Sequence, residues 1–193
     1  MKRKKTGIFG GTFNPIHYGH LIPLMFAAEA RKYERVVFVP NSISPFKVGV
    51  DVPSTEHRMN MTKLAVKDFP LFSVSDYEVS RGGVSYTIDT VKYFREEYGN
   101  IELILGQDTF AGFHSFKDPE GILNTCDVVV LKRSFIDTEY SEYHSTGKVI
   151  QINTPFIEIS STFIRERIQN HLPVSFLIPP AVEEYIKTNN LYL

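Results

Sequence analysis

Two histidines three residues apart, His17 and His20, flank Gly19 at the end of a glycine-rich stretch that reads GIFGGTFNPIHYGH from Gly7 to His20. The stretch passes from a strand-like segment through a turn at Gly10 and Gly11 into a helix-like one. That layout suits phosphate. A residue without a Cβ lets the backbone approach a ligand closely, and the unpaired N–H groups and dipole of a helix start attract an anion. A spacing of three at a helix start aims both imidazoles toward one point, with Gly19 leaving room between them. Both rings can then donate to phosphate oxygens. During transfer of an adenylyl group, negative charge grows on the nonbridging oxygens and on departing pyrophosphate, so donors already in place favour the transition state over the ground state. Singly, the glycines are a tight turn and the histidines a cap and a surface residue; the joint pattern points to catalysis. Two histidines with no Cys, Asp or Glu at ligand spacing nearby form an incomplete zinc set.

A second constellation lies far down the chain, at Ile159-Ser160-Ser161-Thr162-Phe163-Ile164-Arg165. Ser161 and Thr162 can cap a helix and also donate. Arg165, four residues after Ser161, lies one turn along and offers charge-assisted hydrogen bonds worth about 1.5–3 kcal/mol each. Alone, Ser-Ser-Thr before a helix is a capping box with Glu166 nearby.

The first stretch resembles the signature of the nucleotidyltransferase superfamily that carries an H-x-G-H motif, and the second resembles that superfamily's other motif, whose hydroxyls and basic side chain hold the phosphates of ATP. Class I aminoacyl-tRNA synthetases share the first motif, but they also need a Lys-rich second loop and tRNA-binding regions. A chain of 193 residues with net charge −1 leaves little scope for those. The resemblance implies a small adenylyltransferase in which Gly10, Gly11, Thr12, His17, His20, Gly106, Asp108, Ser161, Thr162 and Arg165 bind ATP, with His17, His20 and Arg165 catalytic.

Within the superfamily the chain is similar, over nearly its whole length, to the bacterial nicotinate mononucleotide adenylyltransferases. The blocks Pro40-Asn41-Ser42 through Lys47, Glu56-His57-Arg58-Met59, Ser85-Tyr86-Thr87-Ile88-Asp89-Thr90, Leu105-Gly106-Gln107-Asp108 and Leu131-Lys132-Arg133 follow that family's order. This resemblance implies that Ser85, Tyr86 and Thr87, with aromatics near Phe116, surround a pyridine ring, and that Gly106 and Asp108 meet a ribose or nucleotide backbone. It adds Phe9, Asn14 and Phe113 to the acceptor side, and Lys47 and Arg133 as cations for phosphate, with Arg58 a similar case below them. Physically, helix-start N–H groups at Thr87 suit a carboxylate and an aromatic face suits a flat ring; Thr87 as a cap, and Phe110, Phe113 and Phe116 as core aromatics, are the structural alternatives. Three positions depart from the family's pattern: Asn14 where Asp is frequent, Phe46 where His is common, and Phe116 where Trp is usual. Phe46 removes a phosphate donor and Phe116 offers a smaller stacking face, which bears on acceptor affinity and on preference between acid and amide.

The elements that must position these residues follow from periodicity. Short β-rich apolar runs at 6–9, 36–39, 103–105 and 128–131 alternate with helix-like periods at 19–32, 55–67, 87–97, 161–169 and 180–188. Strand–helix alternation with continuous apolar strands means a parallel sheet covered on both faces. The expectation is an α/β protein with a doubly wound parallel sheet, a Rossmann-like nucleotidyltransferase fold, and a small, mostly helical C-terminal part from about 154 to 193, all in one domain over 1–193. Residues 41–53 and 134–148 read as loops over the sheet, and loops at strand ends are where ligands bind. Ser54 or Thr55 and Ser160 or Ser161 are the expected caps.

Composition narrows the classes. Hydrophobic residues at 42% and charged residues at 22% are ordinary for a globular protein. The near-neutral net charge gives no field for a nucleic acid, the run Lys2-Arg3-Lys4-Lys5 reads as a solvated tail, and no apolar run approaches the ~20 residues of a membrane span. Cys126, the single cysteine, reads as a small buried hydrophobe in a reducing compartment, so cytoplasmic location is expected. Magnesium should accompany ATP, held by phosphates and water without a protein metal ligand. The substrates implied are ATP and nicotinate mononucleotide. Alternatives are another acceptor, such as nicotinamide mononucleotide or phosphopantetheine, or an ATP-binding sensor without catalysis; homo-oligomerisation is left open.

Overall fold

Each apolar strand distributes alternate residues to opposite faces of one sheet, and the two faces recruit different helices. The computed structural model describes residues 4–43, 53–132 and 143–193. Strands β1 (Thr6–Gly11), β2 (Arg35–Pro40), β3 (Phe72–Val74), β4 (Ile101–Gly106), β5 (Asp127–Lys132) and β6 (Val149–Asn153) pair in parallel throughout, in the order β3-β2-β1-β4-β5-β6. Between them run α1 (Tyr18–Arg31), α2 (Thr55–Val66), α3 (Tyr77–Arg81), α4 (Thr87–Tyr98), α5 (Gln107–Ala111) and α6 (Pro119–Thr125). Helices α7 (Ser161–Gln169) and α8 (Pro180–Thr188) follow the sheet.

The period of two is visible in the core. Phe9, Val36, Phe38, Ile104, Val129 and Leu131 join a cluster with residues of α1, α2, α7 and α8, whereas Ile8, Val37, Val39, Leu103, Leu105, Val128 and Val130 join one with residues of α4 and α6. Such strands are buried on both sides, which explains their unbroken hydrophobicity. This is the doubly wound α/β sandwich expected. Ile164, Val174, Val182 and Ile186 of the C-terminal part share the first cluster. The chain order reverses between β1 and β4, and the carboxyl ends of strands flanking such a reversal are where open α/β sheets bind ligands.

Several local expectations need correction. Gly10 and Gly11 lie inside β1, opposite Val39 and Pro40 of β2, so they do not form the turn. A Cβ on Gly11 would stand 2.8 Å from the Phe13 ring, so the missing side chain lets the chain fold back on the strand end. The turn itself is residues 12–17, with Phe13 at φ 48°, in the left-handed region. Strands β3 and β6 and helices α3, α5 and α6 were not anticipated; β3 has three residues and β6 alternates polar side chains into a half-buried edge. Residues 144–146 of the anticipated loop at 134–148 form a 3-10 turn. At the chain start Lys4 pairs with Glu34 and Lys5 with Glu102, so the described part of the basic run is engaged. Cys126 is buried at the end of α6, just before β5, where burial pushes its thiol up to about 12.

Candidate active site

A cavity of about 950 Å³ opens at the carboxyl ends of β1 and β4, a volume typical of a small-molecule site. Its lining brings together Phe9, Gly10, Gly11, Thr12, Asn14, His17 and His20 from the first motif, Ser85, Tyr86 and Thr87 from the start of α4, Gly106 and Asp108 after β4, Phe116, and Ser161, Thr162 and Arg165 from α7. Segments more than 140 residues apart thus share one wall.

His17 is the N-cap of α1, in extended backbone, and only 2% exposed. Its backbone N–H donates to Nδ1 of His20 at 3.3 Å. A nitrogen that accepts carries no proton, so the ring proton of His20 lies on Nε2, which makes that atom a donor. The two imidazoles stack at 3.7 Å between centroids, and the edges of Phe9 and Phe13 flank His20. Gly19 has a further reason than the space between the histidines: a Cβ there would lie 2.8 Å from the Ile159 carbonyl oxygen and 2.9 Å from His17 Nδ1. The glycine lets the two motifs touch.

Side chains of the second motif reach the first directly. Ser160, not Ser161, caps α7 by accepting the Phe163 N–H, which leaves the Ser161 hydroxyl to donate to the Pro15 carbonyl at 2.9 Å. Arg165 Nη1 donates to the Asn14 carbonyl at 2.9 Å and Nη2 to Thr162 Oγ1 at 3.3 Å. The hydroxyl and guanidinium anticipated for phosphate therefore also hold the turn that carries His17.

Arg58 is placed differently from the expectation of a phosphate cation. It is 1% exposed, with Nη1 donating to Thr12 O (2.9 Å) and Asn41 Oδ1 (3.2 Å), and Nη2 to Asn41 O (2.7 Å) and Ser42 O (3.1 Å). Burial lowers its pKa, with the Tyr192 phenol acting in the opposite sense. Arg58 clamps the loops after β1 and β2 from behind the cavity. Asn41 Nδ2 adds a hydrogen bond to Thr12 Oγ1.

At the other end, Gly82 and Gly83 adopt φ of 67° and 71°, a turn that favours glycine, and Arg81 staples it by donating to Val84 O and Asp89. Ser85 Oγ accepts the Ser42 N–H, and Tyr86 is the N-cap of α4, so the helix-start N–H groups around Thr87 border the cavity. Phe113 requires correction as an acceptor contact. It is 1% exposed and stacks with Phe110 in the core, backing Phe116, which alone of the three lines the cavity among the described residues. Lys47, Arg133 and the departure at Phe46 lie outside the described residues.

Three polar lining residues that sequence reasoning did not assign to the site are Glu78, Thr90 and Lys117. Glu78, on α3, is buried; burial raises its pKa, against hydrogen bonds with Thr90 and Ser85. Thr90 closes the Ser-Tyr-Thr-x-Asp-Thr block, but its carboxyl partner lies twelve residues earlier and no spacing rule joins them. Lys117 places Nζ 4.3 Å over the Tyr86 ring, a cation–π contact that its position beside Phe116 could have suggested.

Residues 8–167 match the cytidylyltransferase-like family. A relative in Caldicellulosiruptor saccharolyticus named nicotinate-nucleotide adenylyltransferase is 38% identical, covering 97% of this chain and 98% of that protein. One of the same name in Moorella thermoacetica is 39% identical over 97% of this chain and 91% of its own. The fold is also that of the solved nicotinic acid mononucleotide adenylyltransferase of Plasmodium falciparum complexed with APC, with TM-score 0.81, 22% identity and 98% of each chain covered.

Proposed function

Because the chain belongs to the nicotinate-nucleotide adenylyltransferase family, we propose that it transfers the adenylyl group of ATP to nicotinate mononucleotide, giving nicotinate adenine dinucleotide and pyrophosphate. The observation that carries this reading is one cavity lined at one end by His17, His20 and Arg165 and at the other by Ser85, Tyr86, Thr87 and Phe116.

An acceptor phosphate oxygen attacks the α-phosphorus of ATP in line; the bond from that phosphorus to the bridging oxygen breaks and pyrophosphate departs. The acceptor phosphate is already ionised, so no general base and no covalent enzyme intermediate are required. His20, with its proton on Nε2, and the Arg165 guanidinium supply donors where charge grows on the phosphates, and His17 holds the His20 ring. Gly10 and Gly11 present backbone to the nucleotide, and Asp108 in the first turn of α5 suits ribose hydroxyls. At the far end the N–H groups at the start of α4 receive the pyridine carboxylate while Tyr86 and Phe116 cover the ring. Among the described residues no three His, Cys, Asp or Glu side chains gather into a metal-binding group. Magnesium enters with ATP as the MgATP substrate, held by phosphate oxygens and water. No helix among the described residues is long and apolar enough to cross a membrane, and soluble substrates of this kind go with a cytoplasmic enzyme.

The test is pyrophosphate release with MgATP and, in parallel, nicotinate mononucleotide, nicotinamide mononucleotide and phosphopantetheine. Preference for the nicotinate compound is expected. Release with a different acceptor would remove the assignment of the pyridine end, and ATP binding without release from any of them would leave a sensor in place of an enzyme.

A further inference from the structure

Asn14 sits in the turn between β1 and α1, 5% exposed, with both of its carbonyl oxygens engaged from distant parts of the chain. Its backbone oxygen accepts from Arg165. Its side-chain Oδ1 accepts the Tyr192 phenol at 2.7 Å, across 178 residues. Tyr192 reaches that position through a costly backbone, since it holds φ of 67°, in the left-handed region that a bulky side chain avoids, just after Asn190 at 49°, a residue type that tolerates it. Such conformations persist where the surrounding contacts over-determine them. Here the contacts are evident. The preceding α8 buries Val182 and Ile186 in the core, and its Tyr185 hydroxyl meets His57 Nδ1 at 3.0 Å and accepts from Asn60 at 3.1 Å, both on α2. Burial pushes the Tyr192 phenol above its ordinary range, against the pull of Arg165 and Arg58, so at neutral pH the hydroxyl keeps the proton it donates.

Resting on the adenylyl-transfer reading, we propose that Tyr192 is a positioning residue: its hydroxyl fixes Asn14, and through Asn14 both the turn that presents His17 and the carbonyl that orients Arg165. The C-terminal segment is then a structural part of the catalytic end of the cavity. Tyr192 touches neither substrate nor reacting atoms; it acts through Asn14.

The experiment uses the full chain with Tyr192→Phe, which keeps the ring and deletes the hydrogen bond, together with Asn14→Ala, the double variant, and Tyr93→Phe as an exposed tyrosine control. Deleting the donor leaves a buried acceptor unsatisfied. Tyr192→Phe is expected to lower kcat about tenfold while KM for ATP moves less than about threefold, because the groups displaced act mainly on the transition state. The double variant should lose no more than Asn14→Ala alone, within about twofold, since both substitutions break one interaction. Hydrogen exchange at residues 12–20 should quicken in Tyr192→Phe and stay unchanged in Tyr93→Phe. A kcat within twofold of the parent, or losses that multiply in the double variant, would overturn the proposal. A parent chain inert with every acceptor would instead overturn the adenylyl-transfer reading. In that event unchanged exchange at residues 12–20 in Tyr192→Phe would refute the coupling to Asn14, and quickened exchange would support it.

Discussion

Opposite edges of the same sheet each bury an ionic side chain, and they treat it in opposite ways. At the amino edge, Glu102 near the start of β4 accepts two hydrogen bonds from Arg31, one from Tyr33, and a salt bridge from Lys5. Burial works against its ionised form, but these donors outweigh the penalty and hold its carboxyl below the ordinary range. At the carboxyl edge, the four oxygens that receive Arg58 are all neutral, three backbone carbonyls and the Asn41 amide. A charge neutralised on the spot contributes stability and little field; a charge held by neutral dipoles still projects its sign. The amino edge thus ties the sheet together, and the carboxyl edge holds a guanidinium whose described hydrogen-bond partners include no carboxylate, beside the site proposed for the triphosphate.

Substitutions that separate the two roles test this contrast. Arg58→Met should cost the most, about 3–5 kcal/mol of stability, because it strands buried oxygens and unties the loops after β1 and β2. Denaturant unfolding checks it, and a loss under about 1 kcal/mol would mean that water replaces the guanidinium at no great penalty. His20→Ala follows, with kcat reduced about 10²–10³-fold, roughly 2.7–4 kcal/mol in the barrier, and the melting temperature almost unmoved; near-normal turnover would remove its assigned role. Glu102→Gln should lower stability by about 1.5–3 kcal/mol at neutral pH and leave kcat alone, and a kcat deficit at matched folding would erase the division between the edges.

The pH dependence sharpens that third case. Glu102 has its folded pKa depressed below the ordinary 4.5, so the stability it contributes is present above that pH and is lost as the pH falls through the depressed value. Parent and Glu102→Gln should converge in acid, as followed by thermal melts across a pH series. The smallest effect is expected from Lys117→Met. Removing the cation over Tyr86 should raise KM for the acceptor about two- to fivefold, equivalent to roughly 0.5–1 kcal/mol, with KM for ATP steady. A larger shift for ATP would place Lys117 at the wrong end of the cavity.

Much of the site was legible because its first motif is local. Gly10 through His20 can be read as strand, turn and helix start from neighbours alone, and the structure alters only where the turn begins. The four longest apolar strands were equally plain, as runs buried on both faces. Phe72–Val74 escaped notice because three residues establish no period, and Val149–Asn153 because Gln151 and Asn153 interrupt an edge strand. Glu78 and Tyr192 carry no motif at all, and Arg58, though part of a family block, meets other partners than the phosphate its charge suggested. Their meaning lies in partners such as Thr12, Thr90 and Asn14, and nothing in the spacing along the chain announces those pairs.

By itself the sequence determined the alternation of strands and helices, the glycine-rich passage from the first strand into the first helix, and the pairing of His17 with His20, since each depends on residues within one or two turns of one another. Only the tertiary structure decided that Ser161 would hold Pro15, that Arg58 would face carbonyls in place of phosphate, that Phe113 would enter the core, and that Tyr192 would close on Asn14. The reason is physical: local periodicity sets the direction of a side chain relative to its own element, whereas the partner it meets depends on how elements distant in sequence are stacked.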